Sequence, residues 1–351
     1  MDSRERVLSA LNNKKPDKVP YVYAYIDRKI QEQIIGRKIE YEYMPRTAEW
    51  SPISKPGEQS VLEPYQCIDA EVAKVLGLDA IGMQYLTPIF AEVERSKDGN
   101  VYIRKPLLIS PGDLEKIKMP DVDDEETLKP AIEFVKRYKG EFALFCRIRL
   151  GVSPTLMSMG MEEFAYSMCD RPDFVKEVVK MHTSWVSRLI KNLIEIGFDF
   201  FWTFDDMAHK TAPLFSEAVW DEFFYPYLKE AADCITVPWI FHSDGNLMPY
   251  MDKILKLGMK GLHLLEPGAM DLVELKQKYG HRVCLVGNID IDYTLSKGTI
   301  EEVEAEVKNR IDVLGLGGGF IISDSNSITA YCKVENVIAM AKAVEKYRYI
   351  Y

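Results

Sequence analysis

The chain of 351 residues is 47% hydrophobic and 28% charged, with a formal net charge of −10, a soluble globular composition long enough for two average domains or one large α/β barrel. The acidic balance argues against a nucleic-acid groove, which needs a basic stripe to displace counterions from phosphates. No run approaches the roughly 18 apolar residues of a membrane span and the first twenty residues lack an apolar signal core, while the six cysteines (67, 146, 169, 234, 284 and 332) form no C-x-x-C pair, so reduced thiols and a cytoplasmic location are expected.

Residues 3–12, SRERVLSALN, place Val7, Leu8 and Leu11 on one helical face with Ser3 in position to cap the start. After KKPDKVP, the stretch VPYVYAY (19–25) has the β-branched and aromatic content of a strand. Residues 28–60 are mixed and carry no clear period. A helix over Ala70–Leu76 stops at Gly77, and LDAIGMQ (78–84) resumes as strand. Residues 88–120 hold two β-rich runs around Lys97-Asp-Gly-Asn100, which predicts a hairpin excursion.

From Asp121 onward the chain alternates regularly. The helix DDEETLKPAIEFVKRYKG, acidic at its start and basic at its end, precedes FALFCRIR; helix 172–196 precedes DFFWTFDD; helix 216–236 precedes PWIFHSDG. MPYMDKILKLG precedes GLHLLEP, MDLVELKQKYG precedes RVCLVGNID, TIEEVEAEVKNRIDVLG precedes GFIISDS, and VENVIAMAKAVEKY closes as a last helix. With 19–25 and 78–84 the strands number eight, most of them continuous apolar runs, the pattern of a parallel sheet covered on both faces. The expectation is an α/β fold, a single (β/α)8 TIM barrel over residues 1–351, with an N-terminal helical extension, a hairpin insertion at about 88–120 and further excess length at about 28–60. An open doubly wound sheet would show a Gly-rich turn after its first strand, and VPYVYAYIDRK has none. GLGGG (315–319) precedes a strand and reads as a helix-to-strand turn.

A barrel gathers its functional groups at the carboxyl ends of the strands. The fourth strand ends in Asp205-Asp206, the fifth in His242-Ser-Asp244, the sixth in Glu266, the seventh in Asn288 and Asp290, and the eighth in Asp324 and Asn326; the amino ends carry no comparable acid and amide set. His242, Asp244, Glu266 and Cys332 have the donor types of a zinc site, where three protein ligands and an open position are the catalytic arrangement. Each has a plainer reading too: Asp244-Gly245-Asn246 as a turn, Glu266 as a helix cap, Cys332 as a loop cysteine. Asp205 and Asp206, adjacent on a strand, face opposite sides, so one of them points into the mouth to orient substrate or move a proton, with His209 as a further candidate. His182, His263 and His281 read as structural.

RERVLSALNNKKPDKVP, FDDMAHKTAPLFSEAVWDEFFYPYLKE, FHSDGN, LEPGAMDLVELKQKYGHRVCLVGNID and GGGFIISDSNSITAYCKVENVIAM together resemble the uroporphyrinogen decarboxylase superfamily nearly end to end. The resemblance implies a single α/β barrel and one of two activities. The decarboxylases carry an arginine-rich clamp of the form RQAGR after the first strand; here that position reads YIDRKIQEQIIGR, which points away from tetrapyrrole decarboxylation. The other branch is that of cobamide-dependent methyltransferases, whose thiol-methylating members show His-x-Cys and a later Cys; this chain has His242 with Asp244 at the first cysteine position and Asn326 near the second. An oxygen-rich ligand set suits an ether oxygen, as in the branch resembling methoxyarene O-demethylases. The implied function is zinc-assisted methyl transfer from a small methylated donor to the corrinoid (cobalamin) of a partner protein. His242, Asp244, Glu266 and Cys332 would be the metal ligands, Asp205, Asp206, His242 and Glu266 the catalytic groups, and Asn288, Asp290 and Asn326 the cofactor contacts. A metal-free decarboxylase, a methylcorrinoid-to-thiol or folate methyltransferase and a non-catalytic tetrapyrrole-binding protein are the alternatives, and a homodimer is compatible with any of them.

Overall fold

The computed structural model describes residues 1–40, 52–60, 62–96, 101–263 and 265–351. In chain order the strands are β1 (Ile53–Ser54), β2 (Tyr65–Gln66), β3 (Ala80–Gln84), β4 (Ile89–Arg95), β5 (Val101–Pro106), β6 (Ala143–Ile148), β7 (Phe200–Phe204), β8 (Trp239–His242), β9 (Gly261–His263), β10 (Cys284–Ile289) and β11 (Phe320–Asp324). One sheet has the order β11-β10-β9-β8-β7-β6-β3-β2 and is parallel except for β2 against β3. The fold is therefore mixed α/β on a curled eight-stranded sheet.

The stretch 19–25 is not a full strand. Tyr21 bridges to Ile322, with Val22 N–H donating to the Ile322 carbonyl (3.1 Å) and Ile322 N–H to that of Pro20 (2.9 Å), while Asp79 N–H donates to the Tyr21 carbonyl (2.8 Å). These bonds span the gap between β11 and β3. The ladder does not extend because Pro20 has no N–H and the Tyr21 N–H is taken by the Asp79 carboxylate at 2.9 Å.

The period of two sorts each strand's residues onto two faces. Ala80, Ala143, Phe145, Phe200, Trp202, Ile240, Cys284, Val286 and Ile321 form an inner cluster, joined by Val7, Ala10 and Leu11 from the helix Ser3–Leu11. That helix plugs the amino end of the curl. Gly261 is needed there, since a Cβ would fall 2.8 Å from Ile240 Cγ1 and 3.0 Å from Leu11 Cδ2. Burial of each large inner side chain is worth ~1.5–3 kcal/mol, and truncating Phe145 to Ala is expected to cost ~3–5 kcal/mol. The second and larger apolar cluster lies between the sheet and the surrounding helices.

The helix Ser3–Leu11 is capped by Asp2, not Ser3: Asp2 accepts from Glu5 N–H at 2.7 Å and Glu5 bonds back to the Asp2 N–H at 3.2 Å. The amino ends of the strands also carry acids, against expectation. Asp79 pairs with Arg6 (2.6 Å), and Asp199 pairs with Arg4 (2.5 Å) while accepting from Leu144 N–H (2.9 Å). Both fasten the opening helix to the sheet.

The helices Ala70–Leu76, Pro172–Ile196 and Val334–Tyr347 fall where the sequence places them. The expected helix 216–236 is broken into Glu217–Val219, a π turn over Trp220–Phe224 and Tyr225–Asp233; Pro226 supplies no N–H to continue the ladder through this point. Two further helices, Val152–Met159 and Met161–Asp170, occupy a stretch without an evident period. β4 and β5 pair antiparallel and β1 pairs with β4; the turn 97–100 and residues 41–51 of the 28–60 segment lie outside the described residues. Among the described residues, no helix is long and apolar enough to cross a membrane.

Candidate functional site

The inward face continues past the apolar layers to polar residues at the carboxyl ends. Alternation from Phe145 brings Arg147 and Arg149 inward, from Trp202 brings Phe204, from Ile240 brings His242, and from Gly261 brings His263. Phe204 lies opposite His242 and His242 opposite His263 in the parallel register, so three neighbouring strands deliver one rung of side chains to the mouth.

The two histidines touch through their Nδ1 atoms at 2.7 Å, and His263 Nε2 lies 3.3 Å from the Asp324 carbonyl oxygen. Burial pushes the His242 imidazole down to about 3, with Arg147 and Arg149 adding to the effect, and pushes His263 well below its ordinary value. Both rings are therefore neutral near pH 7, and each carries one proton. A carbonyl oxygen only accepts, so the proton of His263 sits on Nε2; its Nδ1 must then accept from His242 Nδ1–H. What remains on His242 is a bare Nε2 lone pair. That atom faces Asp244 Oδ1 at 3.6 Å and Asp206 Oδ1 at 3.8 Å.

Asp206, His242 and Asp244 offer ligand atoms that all lie within 4.8 Å of one another. The turn after β8 sets this up. Asp244 N–H donates to Asp206 Oδ1 at 3.1 Å, Asn326 Nδ2 donates to Asp244 Oδ1 at 3.1 Å, and Gly245 N–H donates to Glu266 Oε2 at 2.9 Å. Gly245 has φ of +86°, and a Cβ there would fall 2.5 Å from backbone atoms of Ala208 and His209, so the turn accepts only glycine. Burial, then the charges of Asp206 and Glu266, raise the Asp244 carboxyl to about 7. The His242 lone pair and two carboxylates, whose facing oxygens each accept one N–H, converge on one another, an arrangement that a cation completes. Two carboxylate oxygens and an imidazole nitrogen, with the imidazole's far nitrogen held by a neighbour, are a donor set that fits a divalent metal.

The sequence candidates separate in this geometry. His242 and Asp244 come together with Asp206. Glu266 stands behind Asp244, holding the turn, and Asn326 holds the Asp244 carboxylate. Asp205 is fully buried and its oxygens accept from Leu150 N–H (2.6 Å) and Ser153 N–H (2.8 Å); burial raises its carboxyl to about 6. It thus caps the helix Val152–Met159 from a position some fifty residues downstream. Asn288 has both ends of its amide engaged, donating to the Leu265 carbonyl and accepting from Arg310 Nε at 2.8 Å. Asp290 caps a turn through Asp292 N–H at 2.7 Å. Cys332 is buried in the apolar layer outside the sheet, its Sγ 3.8 Å from Thr329 Oγ1. His209 contributes its backbone, receiving the Asn246 N–H at 2.8 Å. Neither Glu266 nor Cys332 enters the group of converging ligand atoms.

Sequence reasoning passed over three residues. His263 orients His242. Arg147 and Arg149 are 9% and 7% exposed, and their guanidiniums flank the Phe204 ring at 4.4 and 4.8 Å from its centroid. The signal was present: two arginines at i and i+2 in an otherwise apolar run share one face of a buried strand.

Residues 83–347 match the family described as uroporphyrinogen decarboxylase (URO-D). A methylcobamide:CoM methyltransferase MtaA from Methanosarcina barkeri is 24% identical over 177 residues, half of each chain. A uroporphyrinogen decarboxylase from Methylobacillus flagellatus is 25% identical over 252 residues, 66% of this chain and 67% of its own. The chain thus spans about half the length of the former relative and two thirds of the latter. A solved methyltransferase from Methanosarcina mazei has the same fold, with a TM-score of 0.70 at 17% identity over 99% of both chains.

Proposed function

The chain belongs to the uroporphyrinogen decarboxylase family, and from that membership we propose that it is a corrinoid-dependent methyltransferase working on a small methylated donor, an ether of the methoxyarene type, with the corrinoid carried by a partner protein. Residues 1–351 are read as one closed (β/α)8 barrel domain, with the opening helix as an extension and the 88–120 region as a hairpin insertion. The observation that carries the reading is the bare Nε2 of His242 facing the carboxylates of Asp206 and Asp244. Similarity to a methylcobamide:CoM methyltransferase, whose name runs the methyl group from the corrinoid to a thiol, supports methyl transfer linked to a corrinoid, and the direction proposed here rests on the oxygen-rich ligand set.

Zinc is the proposed metal, held by Asp206, His242 and Asp244; bound there it would act as a Lewis acid on the ether oxygen that leaves as the methyl group departs. The protein's own part is to place the ligands. His263 fixes the tautomer and ring plane of His242, Asn326 and Asp206 fix the Asp244 carboxylate and turn, and the aromatic walls of Phe204 and Trp202 exclude water from one side. Two oxygens and one nitrogen form a harder ligand set than thiolates, which favours an oxygen leaving group over a thiol. The exposed Asp206, on the outer side of the group, leaves the mouth open for a partner's cofactor face.

The test follows the conversion of cob(I)alamin to methylcobalamin by absorbance, with a panel of methoxyarenes, for the wild type and His242→Ala. Methylation by the wild type and its loss in the variant are expected; no methylation with any donor would sink the reading. A second reading, decarboxylation of a small acid, has Arg147 and Arg149 in its favour as carboxylate-binding groups. Carbon dioxide release without cobalt methylation would establish it.

A further inference from the structure

We propose that Arg147 and Arg149 form an oxyanion subsite in the barrel mouth that holds the carboxylate of an aromatic acid, so that the substrate is an arene carboxylate and not a neutral arene. The identity of the reacting group on that arene rests on the function proposed above; the subsite itself does not.

The two arginines are the inward residues that follow Phe145 on β6 and its extension, and Arg147 lies in register with Gln84 of β3 on one side and Trp202 of β7 on the other. Both are more than nine-tenths buried. Among the described residues, neither Nε has a hydrogen-bond acceptor and no carboxylate stands within ion-pair distance of either guanidinium. The charges of Asp205 and Asp206 act on Arg149, but Asp205 already spends its oxygens on the amides of Leu150 and Ser153 and Asp206 faces His242. What the guanidiniums do meet is soft or aromatic: Phe204 lies against both, Tyr25 lies 5.6 Å from Arg147, and Met157 Sδ lies 3.0 Å from Arg149 Nη1.

A buried guanidinium without an anionic partner costs several kcal/mol, far more than cation–π contact returns. Two of them side by side also repel. Such a cost persists where a ligand relieves it, and the planar fork of arginine is matched to carboxylate oxygens. Inorganic anions share that chemistry. The aromatic lining decides between them: Phe204 between the guanidiniums, Tyr25 beside Arg147 and Trp202 beneath, T-shaped against His263 at 4.9 Å, form walls for a flat ring and offer a hydrated phosphate nothing. Phe204, which lies against both guanidiniums, has its ring centroid 6.4 Å from that of His242, so one small molecule can reach from the guanidiniums to the His242 imidazole.

The test is binding, measured by calorimetry on the full chain without corrinoid, using 3-methoxybenzoate, its neutral counterpart 3-methoxytoluene, and inorganic phosphate. The wild type is expected to bind the acid at least about tenfold more tightly than the neutral ring and than phosphate. Arg147→Gln and Arg149→Gln, each checked for native circular dichroism, should each lose about tenfold or more for the acid and change little for the neutral ring. Equal wild-type affinity for acid and neutral ring would overturn the proposal without need of a variant, as would phosphate binding as tightly as the acid, or variants that lose both rings alike. Because no turnover is involved, a failed methyl-transfer assay leaves this result standing, and a failed binding result leaves methyl transfer from neutral donors standing.

Discussion

Replacing His263 by Phe tests the tautomer argument at its centre. The phenyl ring keeps the packing against Trp202 but removes the Nδ1 that accepts from His242 at 2.7 Å. His242 then either leaves Nδ1–H unsatisfied inside the barrel, at ~1–3 kcal/mol, or moves its proton to Nε2, where it blocks the ligand position. Loss of such an outer partner typically lowers metal affinity 10–100-fold, about 1.4–2.7 kcal/mol, and the two estimates agree. Competition of the protein with a chromophoric zinc chelator at pH 7.5 measures this directly. His263→Gln, whose side-chain oxygen can still accept, should recover part of the loss. Zinc affinity unchanged in His263→Phe would refute the assignment of His242 Nε2 as the ligand atom.

Other expected outcomes follow from the same geometry. Asp205→Asn exchanges one of two amide-accepting oxygens for a donor; urea denaturation should show a loss of ~1–3 kcal/mol. Gly245→Ala forces a Cβ onto the 208–209 backbone at positive φ; it should cost ~1–3 kcal/mol and weaken zinc binding beyond what the stability change explains, as chelator competition would reveal. Burial raises the Asp324 carboxyl from 3.8 to about 7, so the native state holds a proton there that the unfolded chain releases near pH 4. Its contribution to stability is full below pH 4 and is lost as pH rises to about 7. The stability difference between wild type and Asp324→Asn should therefore decline across that window, and a difference independent of pH would contradict the assignment. Asp244→Cys makes the ligand set softer and should raise the preference for cadmium over magnesium in the same chelator assay.

Much of the architecture is written locally. The alternation of helix and strand after Asp121 places β6 to β11, and the acids and histidine that end β7 and β8 mark the carboxyl side before any pairing is known. Long-range pairings are what local reading cannot supply. The helix Val152–Met159 draws its cap from Asp205, which a window around Gly151 never sees. The stretch 19–25 has strand composition, yet Asp79 diverts its Tyr21 N–H and leaves it joined by isolated bridges. His263 reads as a structural histidine until the register sets it beside His242. Asp206 and Asp205 are adjacent and chemically identical in sequence; only the fold spends one on backbone amides and turns the other toward His242. Cys332, a plausible ligand by residue type, is buried in the outer apolar cluster and does not join the converging ligand atoms.

The central claim is that Asp206, His242 and Asp244 together hold one metal ion. Equilibrium dialysis against zinc, with the wild type beside the triple variant Asp206→Ala, His242→Ala, Asp244→Ala, tests it directly once circular dichroism shows both folded. One equivalent retained by the wild type and none by the variant is predicted; an equivalent retained by the triple variant, or none by the wild type, would contradict it.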